Sequence, residues 1–478
     1  MAYYHGIKTK ETATSVSTPA EIQSGITFAV GTAPVYMGEG SINKPIFAGS
    51  YKEAVAALGY SDDFENFTLC EVMKTHFGLY GVSPVIFVNV FDPQKHCTAP
   101  GGKEHIFVDG VIELPDSAIA DTVVVKDTAD GVVYVKDKDY IVHYTDGNLI
   151  VEKTDDGDFG SSTAYIEYSR ADISKVTPDD IIGGINVDDG SKSGLELIGS
   201  VYPKYGVIPE IIIAPGFSSD SAVAAIMAAK AEGINELFKG MAVIDADSSV
   251  IRKYSDVYEW KSRNNISNTN QIVCWPMVAL GGVKYHMSTH IAALMSSVDN
   301  DNSGIPSEPP SNKTLRADST VLSDGSEVVL ELSDANLLNS KGIAAAINHG
   351  GRFVLWGNET ACYPASADVK DYFINVNRMF GYVSKSVILT YWSRIDSKMT
   401  RRLIDSIVDS INIWLNGLKT SEHILGGRIE FDADENPVTD LMAGKMKFHI
   451  YMTPPSPAKE IEFTLEYDAE YVSAALGG

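Results

Sequence analysis

The sequence predicts a multidomain α+β chain on three observations. Buried apolar runs alternate with helical periodicity before residue 97 and again after residue 175. Between those points helical periodicity disappears, and short alternating runs are punctuated by Asp-Gly pairs. The last fifty residues return to strict period two. The 478 residues are 44% hydrophobic and 21% charged, an ordinary globular balance that excludes general disorder. At ~150 residues per domain the length suggests about three domains. The net charge of -25 argues against binding DNA, RNA or an anionic membrane. The most apolar segment, Ile211 to Ala229, is broken by Pro215, Gly216 and Asp220, so no membrane insertion is expected. Tyr3, Tyr4 and His5 do not begin a signal peptide. Cys70, Cys97, Cys274 and Cys362 form no CxxC, which fits a cytoplasm and argues against a disulfide framework or structural zinc.

Taken in order, Tyr3 to Thr18 is an extended arm rich in Thr, Val and Ile, without helical periodicity or a turn. Such an arm either frays or adds to a sheet edge elsewhere. Ile26 to Val30 reads as a buried strand, Tyr51 to Leu58 and Phe67 to Tyr80 as helices, and Pro84 to Phe91 as a buried strand, together an α/β layer. Residues 97–175 read as a small β-sandwich inserted into that layer. It holds about 16 acidic residues against 7 basic ones, so it should face solvent. Thr177 and Pro178 start a helix. Strands follow at Ile208 to Ala214, Met241 to Ile244 and Ile272 to Pro276, with helices at Ser219 to Glu232 and Ser288 to Ser297. A final domain begins at Gly350. In it Asp396 or Ser397 should cap a helix with Leu403, Ile407, Ile411 and Leu415 on one stripe, ended by Gly417.

At the end of the chain Met446, Phe448 and Ile450 alternate with charged residues, and Ile461, Phe463 and Leu465 do the same after a Pro-rich turn. A register pairing Ile450 with Ile461, Phe448 with Phe463 and Met446 with Leu465 puts His449 across from Glu462 and Lys445 across from Glu466. The resulting hairpin would have an unblunted edge and needs a further strand.

Catalytic and metal motifs are weak. Ser218, Ser219 and Ser221 follow a strand but lack GxSxG and a triad setting. His286 and His290 stand at i, i+4, yet Met287 replaces the Glu of a metalloprotease and no third ligand is evident, so they read as a packed pair. Asp299, Asp301, Ser303 and Gly304, and separately Asp432, Asp434 and Asn436, imitate half a calcium loop but lack its glycine or terminal glutamate and read as turns. No phosphate-binding loop is present, and no cofactor is expected. Lys398, Arg401 and Arg402 form a local basic turn in an acidic protein. They are either a solvated face, with both arginines in reach of Asp405, or a contact for an acidic partner.

Several stretches resemble the tail sheath proteins of contractile phages and phage-tail-like bacteriocins: TSVSTPAEIQSGITFAVGTAP, IPEIIIAPGF, PSNKTL, GGRFVLWGNETA, and TRRLIDSIVDSINIWL with the terminal hairpin. The ordered set spans nearly the whole chain. The resemblance implies an arm at 1–20, an α/β sheath domain opening at 21–96, the inserted sandwich at 97–175, a subtilisin-like α/β domain at 176–349, and a tube-facing α+β domain at 350–478. It also implies that the last domain is completed by intersubunit strand exchange, through Ile7, Thr9, Met446, Phe448, Ile450, Ile461, Phe463, Leu465 and Tyr467. The implied function is a non-enzymatic subunit of a contractile sheath that forms stacked, hexameric rings in a helical homo-polymer and drives a tube through a bacterial envelope. Implied partners are further copies, the tail tube protein held by Lys398, Arg401 and Arg402, and baseplate and terminator proteins, in a virion or phage-tail-like particle assembled in the bacterial cytoplasm. A non-contractile assembly or surface-layer protein is the alternative, and a serine hydrolase on the subtilisin-like domain the outside option.

Overall fold

The computed structural model describes residues 23–477 apart from residues 146, 156, 158, 160 and 469. Its centre is an eight-stranded sheet. From one edge the order is Arg352–Trp356, Ile343–His349, Gln271–Cys274, Met241–Asp245, Ile211–Ile213, Thr27–Gly31, Val85–Asn89 and Ile46–Ala48. Six strands run parallel, and the strand at each edge is antiparallel to its neighbour. Parallel strands covered on both faces read as continuous apolar runs, which is why VIFVN, III and MAVID are buried at every position. One edge is covered and the other is short. The 312–315 segment bonds back onto the 352–356 strand, with Asn312 N–H donating to Leu355 O at 2.6 Å and Leu355 N–H to Lys313 O at 3.0 Å. The opposite strand is three residues long and follows Pro45, whose carbonyl accepts from Tyr205 Oη at 2.5 Å.

The helix Met287–Asp301 is buried from Met287 through Ser296, as expected of a helix that is apolar around most of its circumference. Residues 101–168 supply two three-stranded antiparallel sheets around a separate core that includes Ile112, Leu114, Val125, Val151 and Ile166. A third core joins the helices Ile374–Tyr391 and Arg401–Thr420 to a two-stranded sheet, Gly426–Glu430 with His449–Thr453, through Met379, Tyr382, Ile411, Trp414 and Leu415.

Two expectations about this architecture are corrected. The α/β layer is not a subtilisin-like domain confined to 176–349. Thr27–Gly31 sits at its centre between Ile211–Ile213 and Val85–Asn89, so the sheet cannot form without residues that precede the 101–168 sheets. The C-terminal sheet is not completed by strand exchange around a 446–465 hairpin. Ile450 pairs with Ile429 and His449 with Glu430, inside the same subunit. Met446 and Phe448 precede the strand and are half-buried, and Phe448 packs on Phe431. Three prolines among residues 454–457 remove the N–H groups a return strand would need, and residues 454–468 form no strand. Ile461, Phe463, Leu465 and Tyr467 are exposed. Ile7 and Thr9 lie outside the described residues.

Candidate functional site

The helix Arg401–Thr420 is capped four residues after Asp396 and three after Ser397, the two caps named from sequence. Thr400 is the N-cap, its Oγ1 accepting from Leu403 N–H at 3.3 Å, while Asp396 takes a left-handed conformation in the preceding connection. The helix also runs past Gly417, with Glu422 in the left-handed region just beyond its end. Its buried face is Ile404, Ile407, Ile411, Trp414, Leu415 and Leu418, which leaves Lys398, Arg401 and Arg402 exposed together at one tip. Arg401 Nε donates to Asp405 Oδ1 at 2.9 Å, a solvent-facing pair that contributes little to stability. Cations in a helix's first turn oppose the positive end of its dipole. The basic turn is therefore placed against local preference, and Asp405 offsets only part of that. Earlier in the same connection Trp392 is 62% exposed and Ile395 66% exposed. Large apolar side chains next to guanidinium groups have the composition of a protein-binding surface.

The other candidates hold the fold together. Ser218 Oγ donates to Asp245 Oδ2 at 3.3 Å and accepts from Asp245 N–H at 3.0 Å, and Asp245 also accepts from Ser288 N–H at 2.8 Å. Glu71 accepts from His286 N–H at 2.6 Å and faces His286 Nδ1 at 2.7 Å. Two carboxylates, Asp245 from a strand and Glu71 from the helix Thr68–Met73, thus meet the start of the 287–301 helix, satisfying its first N–H groups and complementing its dipole. Burial disfavours the His286 charge, but the adjacent Glu71 carboxylate wins and raises its pKa to about 9. His290 lies one turn along among Tyr80 and Tyr285, and burial lowers its pKa to about 3. One imidazole is a cation and the other neutral, so the pair does not act as a joint ligand. Among the described residues no group of three His, Cys, Asp or Glu side chains could hold a metal ion. Asp299 pairs with Arg378, and Asp432 and Asn436 close a turn in which Asn436 Oδ1 accepts from Lys447 N–H at 2.7 Å.

Sequence reasoning missed the polar joint on the 374–391 helix. Arg378 forks onto Asp299 with both groups buried, and Lys385 pairs with Glu210, also buried. The available signal was two cations seven residues apart on an otherwise uncharged helix.

No protein-family model matches the chain. It is 28% identical over 491 residues to a tail sheath protein of Burkholderia phage BcepMu, covering 100% of this chain and 99% of that one. It is 24% identical over 314 residues to a major tail sheath protein of Serratia phage KSP20, covering 62% and 74%. Its fold superposes on a chain of the anti-feeding prophage baseplate with a TM-score of 0.59 at 13% identity, covering 98% of this chain and all of the other. A chain of the PVC extracellular contractile injection system, from its sheath complex in the contracted state, gives 0.59 at 12%, covering 98% and 99%. A sheath tail protein from Desulfitobacterium hafniense gives 0.51 at 11%, covering 90% and 94%. These matches replace the subtilisin-like assignment: over its full length the chain has the α+β fold of contractile-sheath structures. The polar clusters named above brace helices, and the basic and large apolar groups of the 392–402 stretch are turned outward. Over its full length the chain is similar to a tail sheath protein of a contractile phage tail.

Proposed function

We propose that this chain is the structural subunit of a contractile sheath, polymerising with its own copies in stacked hexameric rings around a tail tube. Contraction drives that tube through a bacterial envelope. The observation that carries this reading is similarity to a phage tail sheath protein with essentially no unmatched length on either side. The central core supports it: a close-packed sheet is suited to rigid-body movement between two packings, with no refolding and no hydrolysis. Lys398, Arg401 and Arg402 grip an acidic tube surface. Baseplate and terminator proteins bound the polymer in a virion or phage-tail-like particle put together in the bacterial cytoplasm.

The test is electron microscopy of the chain with and without its tube protein. Tubular polymers of two discrete lengths and diameters are expected, and a single static form would overturn contraction. The variant Arg401→Glu/Arg402→Glu should remain folded and fail to co-assemble with the tube; normal co-assembly would remove the basic turn from the interface.

A further inference from the structure

A cleft of about 720 Å³ opens between the loop 309–313, the helix Leu332–Asn339, the stretch 356–359 and the segment 457–460. That volume lies inside the roughly 300–1,000 Å³ range of small-ligand sites. Its floor is built from buried polar groups. Glu359 is 3% exposed, pairs with Lys459 at 2.6 Å, and accepts from Asn358 N–H at 3.0 Å through Oε2. Asn358 also lines the cleft and is 9% exposed, yet its Oδ1 is buried with no hydrogen-bond partner among the described residues. A side-chain oxygen that has lost water and gained no donor carries an unmet cost, so the floor offers an acceptor whose donor the chain does not supply. Trp356 is half-buried in the wall, and its Nε1 donates to Asn336 Oδ1 at 2.9 Å, which orients the indole before anything enters.

The walls narrow the class of ligand. Lys313 and Lys459 are matched by Glu359 and Glu460, so the lining carries no net charge in a chain of net charge -25, and it selects neither an anion nor a cation. The side-chain amides of Asn312, Asn336 and Asn358 each combine an acceptor with two donors. A hydroxyl group is itself donor and acceptor, and such amides can answer it in either sense. Trp356 adds an aromatic surface for an apolar ring face. An extended peptide is disfavoured, because the strand Arg352–Trp356 already bonds to neighbours on both sides and leaves no free ladder for strand addition. We propose that this cleft binds a short neutral oligosaccharide, with its hydroxyls hydrogen-bonded to Asn358 and the neighbouring amides and one sugar ring laid against Trp356. The site performs no chemical step, and it stands independently of sheath assembly.

The test uses the full, unassembled chain with maltotriose and chitotriose as probes and adenine as a flat aromatic control, titrated by saturation-transfer difference nuclear magnetic resonance. At least one of the two sugars should bind saturably, with a Kd of about 1 mM or tighter. Adenine should not displace it. Asn358→Ala and Trp356→Leu should each weaken binding about tenfold, the loss expected when one buried hydrogen bond or one stacked ring is removed. Asn336 is exposed, so Asn336→Ala leaves the fold intact and should weaken binding by a smaller factor through the freed indole; this variant decides the matter if Asn358→Ala does not fold. Failure of both sugars to saturate overturns the proposal. Equal binding by wild type and variants places the sugar elsewhere and overturns it too, and displacement by adenine overturns the assigned ligand class.

Discussion

The central sheet and the C-terminal extension use the same kinds of side chain in opposite surroundings. Phe87 and Ile212 are completely buried, whereas Phe463 is 83% and Leu465 94% exposed. Both stretches are β-prone sequences, so propensity does not separate them. The sheet strands have neighbours on both edges and cover on both faces, while the extension leaves a Pro-rich turn with no strand alongside. Apolar surface contributes to folding only where the subunit itself removes it from water. In the sheet it stabilises the monomer, and in the extension it is available to something outside it.

The largest effect is expected in the sheet, where Phe87→Ala should cost about 3–5 kcal/mol, read as a lower urea midpoint at unchanged slope. A loss under ~1 kcal/mol would mean the core is not the source of stability. At the joint, Arg378→Met should cost about 3–5 kcal/mol by stranding buried Asp299, whose carboxyl burial already pushes up against the opposing pull of Arg378. Adding Asp299→Leu should recover much of that, and additive losses would contradict the account.

A smaller, pH-dependent effect is expected at the helix cap. The folded pKa of His286 is raised to about 9 from 6.5, so its stabilisation is complete below pH 6.5 and fades as pH rises through about 9. The wild-type Tm should therefore fall more than that of His286→Asn between pH 7 and 10. By nuclear magnetic resonance neither His286 nor His290 should titrate between pH 5 and 8; a midpoint near 6.5 for either would remove its assigned environment. The smallest effect belongs to the extension, where Phe463→Ala should change monomer stability by no more than about 0.5 kcal/mol while weakening assembly.

Much of this was legible in the chain. The runs PVIFVNVF and IPEIIIA announced buried strands because a strand covered on both faces needs no polar alternation. The basic turn at Lys398, Arg401 and Arg402 was visible because charge reads directly from residue type. Trp392 and Ile395 were not, since exposure of an apolar residue depends on what packs over it. The terminal hairpin was misplaced for a related reason. The alternation of Met446, Phe448 and Ile450 is compatible with any apolar partner strand, and Gly426–Glu430 lies nearer in space than Ile461 to Leu465.

The sequence by itself determined the local periods, the acidic balance and the family resemblance, because these depend on residue types and their spacing. Folding alone placed Thr27–Gly31 at the centre of the sheet, brought Asp245 and Glu71 to the start of a distant helix, and set Asp299 and Glu210 against Arg378 and Lys385 of one helix. The physical reason is that register, capping between distant segments and buried ion pairs are properties of pairs of residues. Their energies exist only once folding has brought those pairs within a few ångströms.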